Sequence, residues 1–132
     1  MTVLNNTFTT LPIHGIPLTV IGHEGPWYRP APDLSQCPPG YRLLLSHTPD
    51  NIAWARRQQV GLMLSGHNHG GQIRIPGFGS IFVPSGYSRR YDQGHFDEGE
   101  TFLHVNRGVA GKAPLRFFCR PQVTRFTIES GE

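Results

Sequence analysis

Leu62-Met63-Leu64-Ser65-Gly66-His67-Asn68-His69-Gly70-Gly71-Gln72 runs from an apolar segment through one glycine into two histidines one residue apart, then into two more glycines. A short apolar run bounded by glycine predicts a buried strand that ends in a tight loop. Open α/β sheets gather their chemistry at the carboxyl ends of such strands. Two imidazoles on glycine-flanked backbone at that place have the character of metal ligands. In extended chain, residues i and i+2 point the same way, so His67 and His69 are expected to face one centre.

Upstream, Tyr41 to Ser46 carries three consecutive leucines and predicts a strand buried on both faces, with His47 at its end. Thr48-Pro49-Asp50 is helix-start chemistry, with Thr48 as cap and Pro49 at the first helical position. The helix is expected from about Asp50 to Val60, ended by Gly61. Strand, helix and strand make a parallel, right-handed βαβ unit. His47 and His67 then lie at one edge of the sheet, and three imidazoles, His47, His67 and His69, can hold part of a mono- or binuclear metal site.

Working outward, Met1 to Asn6 reads as the end of a short strand. Phe8 to Ile13 and Ile16 to Ile21 read as a hairpin turning at His14-Gly15. Gly22 to Gly40 is a long Pro- and Gly-rich loop, with a short helix starting near Pro32-Asp33-Leu34. Downstream, Ile73 to Pro76, Ser80 to Val83, Thr101 to Asn106 and Gln122 to Ile128 read as antiparallel strands. The stretches 77–79, 85–99 and 107–114 read as loops between them. The fold class is therefore α/β with an α+β tendency: a mixed sheet flanked by helices, with one βαβ unit and several antiparallel strands.

The chain has 132 residues, 16 of them Gly and 12 Pro, which favours turns over a helical bundle. Its length suits a single domain spanning 1–132. Twelve basic residues give a net charge of +3 without a charged block, and Lys112 is the only lysine. Arginines and aromatics are not interleaved on one surface, so no nucleic-acid partner is expected. Cys37 and Cys119 are compatible with one disulfide or two free thiols, and without a Cys-x-x-Cys pair a thiolate zinc site is not expected. No transmembrane segment and no signal peptide are read. His14, His23, His95 and His104 have no sequence neighbour at ligand spacing and are assigned ordinary surface or core roles.

The order Leu44-Leu45-Ser46-His47-Thr48-Pro49-Asp50, then Leu62 to Ile73, closely resembles the calcineurin-like metallophosphoesterases. The nearest subgroup is the bacterial membrane-associated phosphodiesterases, whose last motifs read Ser-His-x-Pro-Asp and Ser-Gly-His-Thr-His-Gly-Gly-Gln. Tyr87, Tyr91 to Gly94, Leu103 to Gly108 and Pro114 to Pro121 resemble that subgroup's closing strands. The resemblance covers essentially the whole chain, but only the second half of the family's domain. The family's Asp-x-His, Gly-Asp-x-x-Asp and Asn-His-Asp or Asn-His-Glu motifs do not occur here. The resemblance thus implies a fragment, a split gene product or a degenerate relative. Asn68 stands where Thr is usual, and Gln122 where Glu is usual.

The resemblance implies the carboxyl-terminal half of a phosphoesterase β-sandwich. It implies hydrolysis of a phosphate-ester substrate by a metal-bound hydroxide on two divalent ions of the Mn, Fe or Zn type. His47 and His67 would ligate one ion and His69 the other. Gly66, Gly70 and Gly71 would let the backbone pass close to the ions. Arg29, Asn68 and Arg74, with Tyr28, are candidates for substrate binding. With no carboxylate from the first half, the chain alone is expected to hold one metal weakly or none, and to hydrolyse little. A missing amino-terminal half, or self-association across uncovered apolar faces, is the expected partner. The alternative is a non-catalytic metal-binding or interaction module. Placement in the cytoplasm or peripheral to the membrane is implied by the subgroup alone.

Overall fold

The computed structural model describes residues 2–110 and 115–129. Its frame is a six-stranded mixed sheet in the order β1-β2-β3-β4-β8-β7, beside a small two-stranded ribbon of β5 and β6. The sheet strands are β1 (Phe8–Ile13), β2 (Ile16–His23), β3 (Tyr41–Ser46), β4 (Leu62–Ser65), β7 (Gly94–Glu98) and β8 (Thr101–Val105). The ribbon pairs β5 (Arg74–Ile75) with β6 (Gly79–Ser80). The expected α/β class holds.

The hairpin forms as expected, with Ile13 opposite Ile16 across His14-Gly15. β2, β3, β4 and β8 then run parallel, with β1 and β7 antiparallel at the two edges. Ile21, Leu44, Met63 and Leu103 stand in one row across the four parallel strands and are fully buried. They meet Ile52, Ala55 and Val60 from the crossover, which makes the core. Burying a row of this kind stabilises by about 1.5–3 kcal/mol per side chain.

The crossover starts as predicted. The Thr48 hydroxyl accepts from the Asp50 amide at 3.3 Å, and Pro49 opens a 3-10 turn to Asn51. Helix α1 (Ile52–Arg57) is shorter than expected. Gln59 turns left-handed at φ 53, and the Val60 amide reaches back to the Ala55 carbonyl, so the helix ends at Arg57, ahead of Gly61.

Further expectations are corrected. β8 is antiparallel to β7 alone and pairs parallel with β4 on its other side. β7 occupies part of the stretch read as loop, closed onto β8 by a two-residue turn with Gly99 at φ 77. Residues 122–129 form no strand; the Phe126 ring rests 4.9 Å from that of His104. Neither 2–6 nor 32–34 forms the expected element. Residues 111–114, part of the predicted 107–114 loop and including Lys112 and Pro114, lie outside the described residues, as does Met1. Both cysteines are free thiols. No described helix is long and apolar enough to cross a membrane.

The second face of the sheet is only partly covered. Leu45 and Phe102 lie on interior strands of a six-stranded sheet, yet are 44 % and 43 % exposed.

Candidate metal centre

Parallel pairing of β2, β3, β4 and β8 brings their carboxyl ends to one edge. The ladder continues past the strand ends: the Gly66 amide donates to the His47 carbonyl at 3.2 Å, and the Asn106 amide to the Ser65 carbonyl at 2.8 Å. Backbone pairing therefore fixes His47 beside the residue that precedes His67. Their rings meet, with His67 Nδ1 3.0 Å from His47 Nε2 and centroids 4.9 Å apart.

His67 Nε2 lies 2.9 Å from the Pro84 carbonyl. A carbonyl only accepts, so Nε2 carries the proton and the lone pair of a neutral His67 sits on Nδ1, facing His47. An outer N–H held by a backbone carbonyl is the arrangement that orients a metal-ligating imidazole. Metal–nitrogen bonds are about 2.1 Å, so nitrogens about 3 Å apart subtend roughly a right angle at a shared ion. The pair therefore fits one cation. Burial first, then the charges of His67 and His69, lower the His47 pKa below the ordinary histidine value, which favours the neutral, ligating form.

The expected convergence of three rings is met by two. Among the described residues, no group of three or more His, Cys, Asp or Glu side chains is arranged to hold a metal ion. The reason is local. The i, i+2 rule holds for extended chain, and this loop is coiled: φ is 66 at His67, 49 at His69, 63 at Gly70, 76 at Gly71 and 52 at Gln72. Left-handed backbone at His67, His69 and Gln72 costs on the order of 1–3 kcal/mol each and is held only where the surroundings over-determine it. A two-metal centre, which needs carboxylates to offset its charge, is not matched by the donors described.

The His69 turn is held from behind. The Arg116 guanidinium donates to the carbonyls of His69, Arg107, Gly108 and Ala110, at 3.3, 3.0, 3.4 and 2.6 Å. The Cys119 thiol donates to the His69 carbonyl at 3.2 Å. Sequence reasoning passed over both residues, whose only signal was the Leu-Arg-Phe-Phe-Cys-Arg-Pro run. At Gly70 the close approach is to protein: a Cβ there would lie 2.7 Å from Cys119 Sγ and Gln93 Oε1, and 2.8 Å from Arg107 Cγ. Gly71 is crowded by Ser80 in the same way, whereas Gly66 has room.

The candidate substrate groups fall in different places. Asn68 is 1 % exposed, and its Nδ2 donates to the Tyr91 carbonyl at 2.7 Å, so it anchors the loop from within. Arg74 pairs with Asp92 at 2.6 Å and donates to the Gly70 carbonyl at 3.1 Å. Arg29 is exposed. Tyr28, a fourth candidate, lines a cleft of about 600 Å³ with Glu24, His47, His67 and Trp27, a residue the sequence did not single out. The Trp27 indole stands 4.9 Å from the His67 ring and 5.7 Å from that of His47.

Of the histidines given ordinary roles, His14 is exposed in the hairpin turn. His23 is buried, accepts from the Gly25 amide and meets the Trp54 ring edge-on. His95 and His104 form a cross-strand pair, Nδ1 to Nδ1 at 3.2 Å.

The sequence is 42 % identical over 91 residues to the uncharacterized metallophosphoesterase YkuE of Bacillus subtilis, covering 68 % of this chain and 32 % of that protein. It is 41 % identical over 87 residues to the phosphodiesterase YaeI of Escherichia coli, covering 66 % and 32 %. It is 33 % identical over 88 residues to the UDP-2,3-diacylglucosamine pyrophosphatase LpxG of Chlamydia muridarum, covering 61 % and 27 %. The chain spans about a third of the length of the curated relatives it matches. No family model matches it, and no solved structure matches. Two of these relatives are named as a metallophosphoesterase and a phosphodiesterase, and that is the family likeness the matched stretch carries.

Proposed function

We propose that the chain is the carboxyl-terminal, imidazole-bearing part of a bacterial calcineurin-like phosphodiesterase, one partial domain over 1–132, and that it works with the complementary part of that domain. The facing nitrogens of His47 and His67, at 3.0 Å, carry the reading. Those two residues would hold one Mn, Fe or Zn ion, with His69 reaching a second ion only in the completed domain. The bound ion supplies Lewis acidity and an acidified water for attack on a phosphate ester. The protein's own part is to orient His67 through Pro84, favour the neutral form of His47 by partial desolvation, and brace the following turn through Arg116 and Cys119. Leu45 and Phe102 give the complementary part, or a second copy, an apolar face to cover.

Cobalt(II) titration of the whole chain is the test. One weak equivalent, with an absorption band lost in His47→Ala and in His67→Ala, is expected. Little hydrolysis of bis(p-nitrophenyl) phosphate is expected until the chain is joined to the remaining part of a relative such as YkuE. Two tight equivalents, or binding indifferent to both substitutions, would refute it. A second reading rests on a separate observation. Both ring nitrogens of His67 have protein partners and its ring packs on Trp27, as a metal-free aromatic cluster would require. In that case the chain is a non-catalytic interaction module, its stability does not respond to a chelator, and joining restores no hydrolysis.

A further inference from the structure

Trp27 and Tyr28 stand out because they are large, aromatic and left in solvent beside the histidine pair. Trp27 is 54 % exposed and Tyr28 65 %. Both line the cleft that also presents His47, His67 and Glu24. The indole is already in ring contact with both imidazoles, tilted on His67 by 55° and edge-on to His47 at 69°. Whatever rests on its open surface therefore sits within one ring's breadth of the candidate metal ligands.

We propose that Trp27 and Tyr28 form a subsite for the planar group, aryl or nucleobase, of a phosphodiester whose phosphate lies at His47 and His67. This rests on the phosphoesterase reading and adds the class of leaving group. An exposed indole is a stacking platform that takes any π-face, and one stacked base contributes about 1–3 kcal/mol. A cleft of about 600 Å³ accepts a group of nucleotide size. Glu24 sets the charge preference. It is the one charged side chain lining this cleft among the described residues, and it is acidic. A phosphodiester brings one negative charge beside that carboxylate, and a monoester near pH 7 brings almost two, so the diester is the less repelled.

The test uses the whole chain with two probes that share a singly charged phosphodiester: methyl p-nitrophenyl phosphate and dimethyl phosphate. Binding is followed by NMR through the Trp27 indole N–H and the His47 and His67 ring protons. The aryl diester is expected to shift all three residues together and to bind at least tenfold more tightly than the methyl diester. Trp27→Leu, which keeps an apolar side chain, is expected to abolish that tenfold difference, and Tyr28→Ala to reduce it. The Trp54 indole, packed against the core, reports that each variant remains folded. Glu24→Gln is expected to narrow the preference for the aryl diester over p-nitrophenyl phosphate. Equal affinity for the two diesters, or a preference that survives Trp27→Leu, overturns the subsite. Failure of the phosphoesterase reading has another signature: p-nitrophenol binds as well as its diester, and the histidine rings do not respond.

Discussion

Replacing Gly70 by alanine tests the loop that carries the histidines. The residue is buried at φ 63, and an added Cβ meets Cys119 Sγ, Gln93 Oε1 and Arg107 Cγ, all inside 3.0 Å. Left-handed backbone costs an alanine about 1–2 kcal/mol, and forcing a methyl into a packed site costs about 1–3 kcal/mol more. Gly77 is the internal control. Its φ is 78 and nothing lies within 4 Å of its Cβ position, so only the backbone cost applies. Gly70→Ala should therefore lose roughly 2–5 kcal/mol and Gly77→Ala roughly 1–2 kcal/mol. At about 4 °C per kcal/mol for a chain of this size, the losses in Tm are roughly 8–20 °C and 4–8 °C. Urea unfolding measures both, with the slope m unchanged if only stability moves. Adding Cys119→Ala to Gly70→Ala should recover part of the loss as a coupling energy. Equal losses at the two glycines, with no coupling to Cys119, would refute the packing of this turn against Cys119, Gln93 and Arg107.

Two further outcomes concern His104 and Arg116. His104 is 2 % exposed, and burial first, then nearby His95, lowers its pKa. The unfolded chain then takes up protons first as pH falls, so its contribution is complete above about pH 6.5 and is lost below. The urea midpoint should drop from pH 7 to pH 5, less steeply in His104→Gln; His23 and His47, lowered likewise, keep the remaining slope, and an unchanged slope in the variant would contradict the burial of His104. Arg116→Ala leaves the carbonyls of His69, Arg107, Gly108 and Ala110 without their cationic donor and should cost about 2–4 kcal/mol by urea unfolding, with Arg116→Lys recovering only part because an ammonium cannot span the same set.

What could be read in advance was what local pattern controls. Leu43-Leu44-Leu45 marks an interior strand, since buried parallel strands lose the alternation of half-exposed ones, but the burial expected on both faces fails at Leu45, which is 44 % exposed. Thr48-Pro49-Asp50 marks the turn into α1 because capping is a local hydrogen bond. β7 escaped because its exposed positions, His95 and Asp97, give Gly94–Glu98 the polarity of a loop. The direction of β8 depends on which neighbour it finds across about 40 residues, and no local period encodes that. The burial of Asn68 and the coiling of the loop at His67, His69 and Gln72 depend on left-handed backbone at non-glycine residues, which composition does not reveal.

The two halves of the histidine cluster are supported by different means, and this bears on how the site responds to damage. His47 and His67 are set by the ladder of β3 and β4, prolonged one step by the bond from the Gly66 amide to the His47 carbonyl. Moving them apart means breaking pairing in the middle of the sheet, where the fully buried Leu44 and Met63 lie. His69 depends instead on a guanidinium and a thiol that grip its carbonyl from a segment almost 50 residues later in the chain. Contacts of that kind open at lower cost than a central ladder. Arg116→Lys should therefore displace the His69 ring resonances while leaving those of His47 and His67 in place. If all three move together, the cluster is one mechanical unit, and the division between ladder and clamp is wrong.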